Sequence, residues 1–154
     1  MKFLTLHQPW ASLVAIGAKR IETRSWPTSY RGRLGICAAA AFPQRARTLC
    51  WQPDFAAALI HGGYGDIRQL PLGKVLAVVD LVHCVPVSAV MLLTIGDDQP
   101  FGDFTFGQYA WMLENVGRLR RPIPCKGTHR LWSEPDLARL VCSSMGESFR
   151  KADG

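Results

Sequence analysis

Between Gly17 and Trp26 the chain reads GAKRIETRSW, a stretch dense in charge and closed by an indole. Lys19 and Arg24 can hold phosphate, and Glu22 can accept from a base amino group. Gln8, one turn upstream with Pro9 and Trp10, can donate to and accept from a base edge. Trp10 and Trp26 offer faces on which a base can stack, a contact worth about 1–3 kcal/mol. Together these residues suit a single-stranded nucleic acid. They also suit a plainer reading: a solvated strand with a weak Glu22–Arg24 ion pair, and Trp10 buried at helical spacing. Pattern alone favours the plainer reading.

Other chemistries find little support. No G-x-x-x-x-G-K occurs, and no G-x-G-x-x-G follows a strand, so nucleotide-hydrolysing and dinucleotide folds are not indicated. His7, His61, His83 and His129 are scattered, without H-x-x-x-H or H-E-x-x-H spacing. His83 and Cys84 adjoin on a predicted strand and face opposite ways. We therefore expect no metal and no cofactor. No G-x-S-x-G nucleophile elbow is present. Cys37, Cys50, Cys84, Cys125 and Cys142 contain no C-x-x-C pair and are odd in number, which predicts reduced, partly buried thiols.

The elements that must position the charged stretch follow from periodicity. Lys2–Leu6 alternates, with Phe3 and Thr5 on one side and Leu4 and Leu6 on the other, and predicts a strand. HQPWASLVAIG then shifts to helical spacing, with Pro9 in the first turn and Gly17 as the stop. From Arg20 to Trp26 the period returns to two. Arg20, Glu22, Arg24 and Trp26 share one face; Ile21 and Thr23 share the other and point to the core. YRGRLGICAAAAF predicts a further strand. Residues 44–62 read as two helical pieces broken at Pro53, with Asp54 as cap of the second. GKVLAVVDLVHCVPV is a long apolar strand, and FGQYAWMLENVGRL another, bent at Gly107 or Gly117. RRPIPCKGTHRLW is extended, turning at Lys126-Gly127. Ser133 caps a last short helix, EPDLARLV.

Strands and helices do not alternate regularly, so a doubly wound parallel sheet is not expected. The expected class is α+β: a small mixed, mostly antiparallel β-barrel with peripheral short helices. With 154 residues, one domain is expected, over 1–140, followed by a polar tail at 141–154. Eighteen Lys and Arg against twelve Asp and Glu leave a charge of +6, which suits a polyanionic partner. RLRRP at residues 118–122 is a second candidate phosphate contact, though it reads slightly better as a solvated charge run. No apolar run approaches the roughly 20 residues of a membrane span, and the N-terminus lacks a secretion signal. A cytoplasmic monomer without a membrane partner is expected.

LTLHQPWASLVAIGAKRIETRSW resembles the opening of an ASCH domain, whose recurring pattern is Q-P-W-A-x-L-I-x-x-G-x-K-x-x-E-x-R after a strand. Gln8, Pro9, Trp10, Ala11, Leu13, Gly17, Lys19, Glu22 and Arg24 match it. YRGRLGICAAA resembles the family's next strand, with Cys37 where histidine is frequent. LGKVLAVVDLVHCVPV resembles its long core strand, with Ala77 replacing a glycine. The closing hairpin follows in FGQYAWMLENVGRLRRPIPCKGTHRLW, where Arg130 replaces a glycine. The resemblance covers Met1 to about Trp132 and implies a PUA-like barrel. It also implies a cleft lined by the G-x-K-x-x-E-x-R segment, with RNA, or else DNA, as ligand.

By that resemblance the ligand-binding residues are Gln8, Pro9, Trp10, Lys19, Glu22, Arg24, Trp26 and Tyr30. The alternative it implies is a metal-independent hydrolase acting on RNA or a modified nucleoside, with Lys19 and Glu22 catalytic and Tyr30 or Tyr109 assisting. Acetylcytidine amidohydrolases of the family use a Lys matched by Lys19 and a Thr at the position of Glu22, so this chain departs from them there. Ribonuclease activity has also been proposed for ASCH proteins, and the sequence is more similar to that larger bacterial type. In either enzyme, flanking Arg20 and Arg24 are expected to lower the Lys19 pKa.

Overall fold

A computed structural model of the chain describes residues 1–146. Six strands form one sheet in the order β2-β5-β4-β3-β1-β6. They are β1 (Lys2–Leu6), β2 (Ile21–Arg24), β3 (Gly32–Ala38), β4 (Lys74–Pro86), β5 (Tyr109–Pro124) and β6 (Leu131–Trp132). Among the strands of the described residues only β1 and β3 pair in parallel, so the sheet is mixed and mostly antiparallel, as expected. The sheet curls without closing. The sign of the curl is Arg24 on edge strand β2, whose Nη2 reaches across to donate to the Thr5 carbonyl of β1 at 3.0 Å.

Both faces of the sheet are covered, which is why β1, β3 and β4 read as nearly continuous apolar runs. Short helix α1 (Trp10–Ala15) lays Ala11, Val14 and Ala15 on one face, against Leu4, Leu6, Leu34, Ile36 and Trp111. On the other face Phe3, Cys37, Val75, Val78 and Leu119 pack under α5 (Pro135–Ser144). The alternation in β1 thus appears as expected: Leu4 and Leu6 face α1, while Phe3 faces α5. Gly35 lies beneath Phe3; a Cβ there would sit 2.3 Å from the ring, so only glycine admits it.

Helix α3 (Pro53–His61) builds a third cluster with Leu13, Phe101 and Cys50, the residue that ends α2 (Gln44–Leu49), around Phe55 and Leu59. Asp54 does not cap α3: Gln52 holds that position and Pro53 starts the helix, since proline is suited to the first turn. Glu134, not Ser133, precedes α5 for the same reason, with Pro135 first. The expected boundary at residue 140 falls inside α5, which runs to Ser144 and buries Val141. The rest of the expected tail, from residue 147, lies outside the described residues.

Between β4 and β5, residues 88–106 hold elements that periodicity does not predict. Helix α4 (Ala89–Leu92) is followed by a 3-10 segment, Gly96–Phe101. The bend in β5 lies near Gly117. Its register against β4 slips between the pairs Val78–Gly117 and Asp80–Glu114, and Asn115 takes φ 51° within the bulge.

Candidate nucleic-acid interface

The approach to the site is set by the end of α1. Gly17 takes φ 80°, a conformation that favours glycine, and the amides of Ala18 and Lys19 both return to the Leu13 carbonyl. This cap turns the chain sharply into β2. Lys19 enters the interior and is only 2% exposed. Its Nζ donates to the carbonyls of Ile21 at 2.6 Å and Phe101 at 2.8 Å, and lies 3.7 Å from Glu22 Oε1. Asp98 completes the junction, its Oδ1 accepting from the amides of Arg20 at 2.8 Å and Ile21 at 3.0 Å. The 3-10 segment therefore grips the start of β2 through one carboxylate and one carbonyl.

Burial lowers the Lys19 pKa from its ordinary 10.5. Glu22 and then Asp98 act the other way, and Arg24 contributes least. The expected direction holds, but desolvation is the main cause rather than neighbouring arginines.

Along β2 the pairing Glu22–Trp111 and Arg24–Tyr109 puts both charged residues on the α1 face of the sheet. They stand at its rim, where the curl leaves an open cleft of about 1210 Å³. Trp10, Phe55, Gln52 and Asp54 form one wall. Thr5 and His7 at the end of β1 meet Lys126, Thr128, His129 and Arg130 on another. Glu22, Thr23 and Arg24 face Pro100–Asp103 on the remaining side. Glu22 Oε1 accepts from the Thr23 amide at 2.8 Å, which fixes the carboxylate, and Oε2 lies 4.0 Å from Arg24 Nη2. Arg24 is not fully used: its Nε is buried and without a hydrogen-bond partner among the described residues.

Of the residues expected to bind ligand, Trp10, Glu22 and Arg24 line this cleft. Lys19 does not. It borders a smaller cavity of about 650 Å³ that shares no lining residue with the cleft. Gln8 is wholly buried: its Oε1 accepts from Ser12 N, and its Nε2 donates to Ser12 Oγ and Pro71 O. Pro9, joined to Gln8 by a cis peptide, is buried at the start of α1. Trp26 packs edge-on against Trp111, with the Arg130 guanidinium 5.4 Å from its ring centre. Tyr30 bonds the Arg33 carbonyl and accepts from the Lys2 amide, away from the cleft lining.

Thr23, expected to face the core, borders the cleft instead, and its hydroxyl accepts from the Asp103 amide at 2.9 Å. An edge strand has a neighbour on one side alone, so its outer side is open to the cleft. Motif and periodicity miss His7, Lys126, His129 and Arg130 altogether. The extended RRPIPCKGTHRLW run is the available signal, because its turn at Lys126-Gly127 carries cations back toward β1. Among the described residues no cluster of His, Cys, Asp or Glu could hold a metal ion. No described helix is long and apolar enough to cross a membrane.

A curled half-barrel with α1 beside a cleft at its rim, and Gly17, Lys19, Glu22 and Arg24 along the turn and strand that follow α1, fits the ASCH class of domain. The chain belongs to the ASCH domain family, whose sequence model matches residues 4–113. It is 31% identical over 134 residues to activating signal cointegrator 1 from Homo sapiens, covering 84% of this chain and 21% of that protein. The Mus musculus protein of the same name is 30% identical over 133 residues, with the same coverage. The chain thus spans about a fifth of the length of these relatives. The crystal structure of ASCH from Zymomonas mobilis superposes with a TM-score of 0.58 at 16% identity, covering 95% of this chain and 96% of that one. A point mutant of it gives 0.59 at 15% identity, covering 94% and 98%. At such identity these structures speak for the fold.

Proposed function

We propose that the cleft binds single-stranded or looped RNA, or DNA in the same extended form. One observation carries the reading: the same cleft is lined by two aromatic rings, Trp10 and Phe55, and by three cations, Arg24, Lys126 and Arg130. Aromatic faces take bases and cations take the phosphates between them. The net charge of +6 adds long-range attraction. Glu22, Asp54 and Asp103 supply acceptors for base amino groups, which phosphate alone would not require. Family membership supports the same class of ligand. Titration with an oligonucleotide panel at rising salt tests it: affinity should fall steeply as salt rises. Absence of binding at low salt to every RNA and DNA oligomer would sink the proposal.

A second reading, metal-independent hydrolysis of RNA or a modified nucleoside, draws support from Glu22. The Glu22 side chain is 11% exposed, its carboxylate oriented by the Thr23 amide and set between Lys19 and Arg24 at the cleft. In this arrangement Glu22 is the group that meets substrate. Lys19 is a positioning residue, because its ammonium is occupied by two carbonyls. Turnover in EDTA that disappears in Glu22→Gln supports this reading; equal turnover by wild type and variant removes it.

A further inference from the structure

Two of the five thiols converge where the cleft's cationic wall joins the sheet. Cys37 lies in β3, paired with Thr5 of β1 and Val75 of β4. Strand β4 begins at Lys74, which pairs with both Ala38 and Pro124, and β5 ends there at Pro124. One residue further, the Cys125 amide still donates to Gly73 O at 3.0 Å. With β4 no longer beside it, the chain crosses over the sheet toward β1. By Gly127 it is so close to Thr5 that an added Cβ would lie 2.3 Å from Oγ1. Since Thr5 is the register partner of Cys37, this path brings Cys125 over Cys37. Both side chains pack in one cluster, with Cys37 fully buried and Cys125 half-buried and bordering the cleft.

We propose that Cys37 and Cys125 form a reversible, peroxide-sensitive dithiol that fastens the 125–130 wall of the cleft to β3. In the first step the Cys125 thiolate attacks one oxygen of hydrogen peroxide. The O–O bond breaks, and the departing oxygen leaves as water after taking up a proton. Cys125 is then a sulfenic acid. Cys37, losing its proton, attacks that sulfur; the S–O bond breaks and a second water leaves. Two thiols and one peroxide give one disulfide and two waters, and a thiol reductant reverses the change.

The division of labour follows from position. Cys125 reaches the cleft and so meets peroxide first, whereas Cys37 can react only with the sulfur above it. The neighbourhood of the two thiols supports this order, since each acts on the other so that the Cys37 pKa is raised and that of Cys125 lowered. Cys50, by contrast, is buried beside the Ala46 carbonyl, and burial raises its pKa. Because Lys126, His129 and Arg130 follow Cys125 directly, the bond holds their segment in place. Its effect on oligonucleotide affinity rests on the reading proposed above; formation of the bond does not.

The test is treatment of the full chain with equimolar hydrogen peroxide, then alkylation and mass mapping of a non-reducing digest. The expected product joins the Cys37 and Cys125 peptides, with Cys50, Cys84 and Cys142 still alkylated, and dithiothreitol restores all five thiols. Cys37→Ser should stop at a sulfenic acid on Cys125, trapped by a cyclic dione. Cys125→Ser should leave Cys37 unoxidised. Circular dichroism establishes that each variant is folded; should Cys37→Ser fail to fold, the wild-type map and Cys125→Ser decide alone. Wild-type protein that gives no linked peptide, or links another pair, overturns the proposal, whatever the outcome of the binding experiments.

Discussion

The Lys19 ammonium lies 3.7 Å from the Glu22 carboxylate, yet only Glu22 opens on the cleft. The lysine anchors and the glutamate is presented. Lys19→Met would remove a cation that serves two carbonyls and leave Glu22 with one fewer counter-charge. Deleting one partner of a buried pair costs about 3–5 kcal/mol. The expected outcome is a lower urea midpoint, by more than the exposed Arg130→Ala causes.

Its pH dependence has a definite sign. The folded-state pKa of Lys19 is lowered from 10.5 by burial. Between that lowered value and 10.5 the unfolded chain keeps a proton that the folded chain has released. Stability then rises with pH across this alkaline window, by linkage. Below the lowered pKa both states are protonated, and this group adds no slope. Wild-type stability minus that of Lys19→Met, followed by urea titration up the alkaline range, should therefore increase with pH.

Gln8→Ala separates support from contact. The amide satisfies Ser12 N and Ser12 Oγ in the interior and Pro71 O at its margin. Each buried polar group left unpaired costs about 1–3 kcal/mol. The variant should lose stability in urea while keeping wild-type oligonucleotide affinity at temperatures where it remains folded.

This contrast marks what the sequence can disclose. Strand β1, helix α1 and the turn at Gly17 are legible because their signals are local: alternation, a 3.6-residue period, proline and glycine. The same local pattern puts Lys19 and Gln8 on the ligand side, because a charged or amide side chain reads as exposed until its partner is known. One of the two carbonyls that hold Lys19 is that of Phe101, 82 residues away. Likewise Glu22 and Arg24 are recognisable, but not the wall opposite. That wall exists because the sheet curls until Arg24 meets Thr5. The turn at Lys126-Gly127 signals a reversal of the chain there, but not which strand the returning segment meets.

Arg24→Ala and Arg130→Ala should each weaken oligonucleotide binding and flatten the plot of log affinity against log salt by about 0.7 for each phosphate no longer neutralised. Trp10→Ala should instead weaken binding by about 1–3 kcal/mol while leaving the salt slope unchanged, because stacking releases no counterions. Fluorescence anisotropy at several salt concentrations distinguishes the two kinds of loss.

Gly127 tests the wall itself. An added Cβ would meet Thr5 Oγ1 at 2.3 Å, Cγ2 at 2.8 Å and Cβ at 3.1 Å. Thr5 cannot turn aside freely, since it is β-branched and its hydroxyl accepts from Trp132 Nε1 at 3.2 Å. In Gly127→Ala the crossing segment must lift, at a cost of about 1–3 kcal/mol. Lys126 and Arg130 move with it, so oligonucleotide affinity falls although no charge has been removed. Thr5→Ala takes away the two nearest atoms, and the double variant should be more stable than the sum of the single changes allows. Simple additivity in that cycle would mean that Gly127 and Thr5 do not press on one another, and that the cleft wall is held elsewhere.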